Sequence, residues 1–80
     1  MATRHPKLTK RELEVLEQIA CNATNKEIAA YFFISSETVK SHVTHVLRKL
    51  GCRSRLQAAI KGVRLGLVEL SDAQPSGISR

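Results

Sequence analysis

"ISSETVKSHVTHVLRKLG", residues Ile34–Gly51, carries both ends of a helix in its own letters. Ser35 stands where a hydroxyl can accept a hydrogen bond from the first free backbone N–H groups. Gly51 stands where left-handed backbone ends a helix at no steric cost. The spacing predicts a helix over 36–50. At 100° per residue, Val39, Val43, Val46, Leu47 and Leu50 fall on one face. Opposite them lie Glu37, Ser41, Thr44, His45 and Arg48, with Lys40 and Lys49 on the flanks. A face that only had to stay wet would usually pair Glu with Lys. This one is short-chained and hydrogen-bonding near its start, with cations farther along.

Three further helices are predicted around it. "LTKREL" places Thr9 as a cap and Glu12 three residues on, a capping box, with Leu8 and Leu13 in position for a hydrophobic staple. Leu13, Leu16, Ile19 and Ala20 recur at helical spacing as a buried stripe, and Asn22 ends the helix because Asn tolerates left-handed backbone. "TNKEIAAYF" is a second helix, capped by Thr24 or Asn25, with Ile28, Ala29 and Phe32 on one side. The connector "FIS" is expected to plug Phe33 and Ile34 into the core. "SRLQ" opens a fourth helix with Ser54 and Gln57 as a second capping box. That helix runs to about Leu65, where Gly66 stops it and Leu67 and Val68 fold back. Gly62 inside it costs about 1 kcal/mol relative to Ala, so either the helix is weak there or another backbone approaches. Residues 1–7 and 71–80 read as flexible ends around one domain, 8–70.

Eighty residues suffice for one small domain with a thin core. No apolar run is long enough for a bilayer and no signal-peptide stretch opens the chain, so a soluble, cytoplasmic protein without membrane contact is expected. Cys21 and Cys52 are too few for a disulfide framework and lack CxxC spacing, so they read as packing residues. With His5, His42 and His45 they form no zinc-finger ligand pattern; neither metal nor cofactor is expected. Thirteen Lys and Arg against seven Asp and Glu give a net charge of +6, which favours polyanionic partners. The charge is uneven. Lys40, Arg48, Lys49, Arg53, Arg55, Lys61 and Arg64 follow Thr38 with only Glu69 against them before Leu70, whereas the stretch from Glu12 to Glu37 is acidic.

The second and third helices, joined by "FIS", have the spacing of a helix-turn-helix, in which the second helix enters the DNA major groove and the first braces across the backbone. Lys, Ser and Thr suit the donor and acceptor pattern of that groove. "LTKRELEVLEQIACNATNKEIAAYFFISSETVKSHVTHVLRKLGCRSRLQAA" resembles the LuxR-type (GerE-like) DNA-binding domain found at the C-terminus of NarL/FixJ response regulators. Several motifs match in order: "LTKREXXVL", "NKEIA", "ISXXTVKXH", "KLG" and "SRXQA". The resemblance implies an all-α, compact four-helix domain with a central helix-turn-helix, binding double-stranded DNA as a dimer on a pseudo-palindromic operator. It implies base contacts from Lys40, Ser41 and Thr44, with His45 and Arg48 beside them. It implies backbone contacts from Thr9, Asn25, Lys26, Thr38, Lys49 and Arg53. Dimerisation through the last helix would use Leu56, Ile60 and Val63, and RNA polymerase is a candidate further partner. The family often has Gly in place of Asn22 and Ala in place of Gly62. A receiver or sensor domain usually precedes the module, so the chain is either a free-standing regulator or the C-terminal piece of a longer one.

Each residue has a duller reading. Ser41 and Thr44 also suit ordinary exposed positions, and His45 suits groove contact and plain solvation equally. Glu37 favours the positive end of the helix dipole, Glu12 and Gln57 are explained by capping, and Glu27 by an internal ion pair or hydrogen bond. His42 points toward the core flank and is expected to make a structural hydrogen bond. An enzyme lacks its parts: no paired acids near a His, no Gly-rich phosphate loop, no nucleophile elbow. A protein-interaction module would show apolar anchors on the third helix, and RNA binding an aromatic platform. Neither is present there.

Overall fold

A computed structural model of the chain describes residues 7–69. The expected flexible tail 71–80, the residues before Lys7 (His5 among them) and Leu70 lie outside the described residues. The elements are α1 (Lys10–Ala20), α2 (Asn25–Phe32), α3 (Ser36–Leu50) and α4 (Arg55–Arg64), with no strand among the described residues.

Each helix starts on a hydroxyl. Thr9 Oγ1 accepts from Glu12 N and Thr24 Oγ1 from Glu27 N, and in both the glutamate returns the bond to the cap's own N–H, giving two complete capping boxes. Thr24, not Asn25, is therefore the cap of α2. Ser35 and Ser54 cap α3 and α4 through Thr38 N and Gln57 N. The last box is not closed as expected: Gln57 Oε1 accepts from Arg53 N, one residue before the cap. The longer reach still satisfies a free N–H, that of the residue leading into the helix.

Each helix also ends the same way, on a left-handed residue followed by crossed hydrogen bonds back into the last turn. Asn22, Phe33, Gly51 and Gly66 take the positive φ values of 65°, 58°, 69° and 75°. The N–H of the next residue returns to Gln18 O, Ala29 O, Leu47 O and Gly62 O, respectively. Lys61 Nζ adds a cation at Leu50 O, 2.8 Å away, at the negative end of α3.

α3 packs against all three other helices, and α1 packs against α4 as well. Its buried stripe is shared between two clusters. Val39 and Val43 join Val15, Ile19, Ile28 and Ala29; Val46 and Leu50 join Leu16, Ala58 and Val68; Leu47 touches both. The stripe of α3 is thus the predicted one. That of α1 is rotated: Val15, Leu16 and Ile19 are buried, while Leu13 and Ala20 are only half-buried. Val15 lies one turn before Ile19, and α1 has to face α3 and α4 at once, which moves its buried arc toward Val15. Leu8 packs on the second cluster. Phe33 corrects the sequence reading outright, being 94% exposed, and only Ile34 of the connector packs on the core. Phe32 is held at the α1–α2 side by the Arg11 guanidinium, 4.3 Å from its ring centre, and by Tyr31 edge-on.

Gly62 is buried against side chains rather than backbone. A Cβ there would lie 3.0 Å from Leu16 Cδ2 and 3.3 Å from Val68 Cγ2. The glycine lets α1 and the folded-back Leu67–Val68 segment close on α4.

Candidate nucleic-acid interface

Burying Val39, Val43, Val46 and Leu50 turns the opposite side of α3 outward. Lys40, Ser41, Thr44, His45 and Arg48 are all exposed there, with Glu37 and Thr38 in the first turn and Lys49 near the last. Ser35 Oγ donates to Thr38 Oγ1 at 3.0 Å while accepting from Thr38 N, which leaves the Thr38 hydroxyl hydrogen free to donate elsewhere. His42 is half-buried and its imidazole makes no hydrogen bond to another described residue, so the structural side-chain bond expected of it is absent there.

The remaining predicted contact residues fall into two groups beside α3. At the start of α1, Lys49 Nζ donates to Glu12 Oε1 at 2.8 Å and to Lys7 O at 3.1 Å, next to the Thr9 cap. An ammonium has three donors, so one remains for an external acceptor. Glu12 is 6% exposed. Burial alone would push its carboxyl up, but the hydrogen bond from Lys49, the bond from Thr9 N–H and the charge of Lys49 outweigh it. The group ends below the usual carboxylate range and stays ionised.

At the start of α2, Lys26 is exposed and Asn25 half-buried. The Arg55 guanidinium grips this end from α4, with Nη1 donating to Asn25 Oδ1 at 2.6 Å and Nη2 to Ala23 O at 2.8 Å. The sequence offers Arg55 as one basic residue among seven and as the Arg of "SRXQA", without a role; nothing local signals a partner thirty positions away. Arg53 is exposed just before α4.

Several acids near these cations are used internally. Glu12 pairs with Lys49, Glu14 with Arg11 at 3.3 Å, and Glu27 closes the cap of α2. Lys26, Lys40, Arg48 and Arg53 are all exposed, and Glu37 is the acid on α3 itself. Such a surface offers hydrogen-bond donors in a positive field, the combination a phosphate-lined groove accepts.

On α4 a different surface is exposed. Leu56, Ile60 and Val63 are 68%, 50% and 36% exposed along one side. With Ala20, Ala59 and Arg64 they line a shallow groove of about 330 Å³.

Comparison with known proteins agrees with this architecture. The family model for bacterial regulatory proteins of the luxR family matches residues 6–61. The spore germination protein GerE of Bacillus subtilis is 46% identical over 65 residues, spanning 81% of this chain and 88% of GerE. The transcriptional regulatory protein LiaR of Bacillus subtilis is 51% identical over 67 residues, but the match spans only 32% of LiaR. Superposed on the solved structure of the transcription factor GerE, the chain gives a TM-score of 0.74 over 80% of its length and 96% of GerE, with 34% identity in the superposition. On VqmA of Vibrio cholera, solved as a ligand–DNA complex, it gives 0.75 over 89% of this chain and 31% of VqmA, at 28% identity. The capped helices, the exposed polar side of α3 and these likenesses converge: the chain belongs to the luxR family of bacterial regulatory proteins, as a helix-turn-helix domain of the GerE type.

Proposed function

We propose that this domain binds double-stranded DNA sequence-specifically, with α3 in the major groove, as the DNA-binding part of a transcriptional regulator. The observation that carries the reading is the exposure of Lys40, Ser41 and Thr44 together on the side of α3 opposite its buried valines. Phosphate contacts from Thr9, Asn25, Lys26, Thr38, Lys49 and Arg53 set register and much of the affinity, while Lys40, Ser41 and Thr44, with His45 and Arg48 beside them, read base edges.

The apolar side of α4 supports a homodimer through Leu56, Ile60 and Val63, which would set two recognition helices about one DNA turn apart on a pseudo-palindromic operator. No described helix is long and apolar enough to cross a membrane. The regulator acts in the cytoplasm, with RNA polymerase as a further partner, and works by binding rather than by catalysis.

The test compares two lysines. Lys40→Ala lowers discrimination between operator and random duplex by about 1–3 kcal/mol, whereas Lys26→Ala weakens binding to all sequences and lowers the slope of log K against log salt by about 1. Titrations at several salt concentrations measure both. Wild-type affinity and slope in both variants would sink the assignment.

A further inference from the structure

Asn25 is among the proposed phosphate contacts, but an amide side chain has two faces of opposite character: an oxygen that repels a phosphate and an NH2 that donates to it. The Arg55 fork decides between them. A guanidinium carries only donors, so the atom 2.6 Å from Arg55 Nη1 has to be the amide oxygen. The second arm, 2.8 Å to Ala23 O, fixes the guanidinium plane against the backbone leading into α2. Asn25 Nδ2 lies on the other branch of the same planar group and donates to no described residue. It belongs to the first residue of α2, where the N–H groups of Asn25 and Lys26 are without intrahelical partners.

We propose that Arg55 is a positioning residue for DNA binding: by holding the Asn25 oxygen inward it keeps the amide NH2 presented to a phosphate, and so ties the first turn of α4 to the grip of α2 on the backbone. The inference rests on the proposed DNA binding. Arg55 itself is half-buried and both arms of its fork are used internally, so it acts through Asn25 and not as a contact of its own.

Asn25→Asp tests this directly. The carboxylate still accepts from Arg55 and sits favourably at a helix start, so the melting temperature is maintained. The outward donor, however, becomes an acceptor. Affinity for any duplex then falls by about tenfold or more, without a change in sequence preference. Arg55→Ala also weakens binding but leaves the salt slope at its wild-type value, and Asn25→Asp costs less in the Arg55→Ala background than in the wild type. Lys26→Ala, measured alongside, shows what loss of a direct cationic contact does to the slope. A stable Asn25→Asp domain that binds like wild type would overturn the inference. So would an Arg55→Ala slope reduced by about 1, which would make Arg55 a phosphate contact. Failure of the wild-type chain to bind duplex DNA at all would instead remove the functional reading, and this inference with it.

Discussion

Phe33 holds a left-handed conformation, φ 58° and ψ 44°, that a bulky L-residue enters only at a cost of about 1–2 kcal/mol. Its ring is almost wholly in solvent and so returns little burial energy. Phe33→Gly removes the steric cost while adding some unfolded-state entropy. It should raise stability by about 0.5 kcal/mol, read as a higher urea midpoint at unchanged m-value. A lower midpoint would mean that the ring packs in solution. Glu12 works the other way, as a buried charge held by Lys49 and the Thr9 N–H. Because its folded pKa is depressed, its contribution is fully present above the ordinary glutamate value of about 4.3 and is lost as pH falls through the lower folded value. Glu12→Gln should cost about 1 kcal/mol at neutral pH, the pair being half open to solvent through Lys49. The difference from wild type should close on acidification, as followed by thermal unfolding between neutral pH and pH about 3. A constant difference would show that the charge contributes nothing.

At the level of elements, the helix ends were the most readable feature. Thr9, Thr24, Ser35 and Ser54 act within four residues of themselves, so their role is set by local chemistry, and three of the four stops carry the Asn or Gly that left-handed backbone prefers. Phe33 was misread because a hydrophobic letter in a connector suggests a core plug. The α2–α3 turn instead required a left-handed residue there, and that conformation turned the ring outward. Gly62 makes the same point within a helix. Propensity alone says Gly62→Ala gains about 1 kcal/mol, but the new Cβ would press on the fully buried Leu16, whose side chain would have to shift within a packed core. Chemical denaturation of Gly62→Ala should therefore show no gain, and Gly62→Val a loss of about 2 kcal/mol or more. A Gly62→Ala domain more stable by the full helix increment would show that α1 moves aside.

For the molecule as a whole, α4 has two sides with different fates: its buried side closes the core through Ala58 and Gly62, and its open side leaves Leu56, Ile60 and Val63 exposed, the surface on which the proposed homodimer rests. Ile60→Asn changes a half-exposed position and should leave the fold intact. In the proposed dimer it should abolish self-association in sedimentation and weaken binding to a two-half-site duplex, while affinity for an isolated half-site stays the same. Equal binding of both duplexes by variant and wild type would place the dimer contact elsewhere.

The chain's own letters determined the number of helices, the caps and stops of α1, α3 and α4, the buried stripe of α3 and the residues on its outer side. All of these depend on neighbours within a turn or two, where spacing translates directly into geometry. Only the tertiary structure decided that α1 buries Val15 rather than Leu13, that Phe33 faces water, that Lys49 neutralises Glu12, and that Arg55 grips the start of α2. Those partners are separated by tens of residues or chosen by how three helices share one core. No periodicity along a single helix encodes which side of it a distant segment will cover.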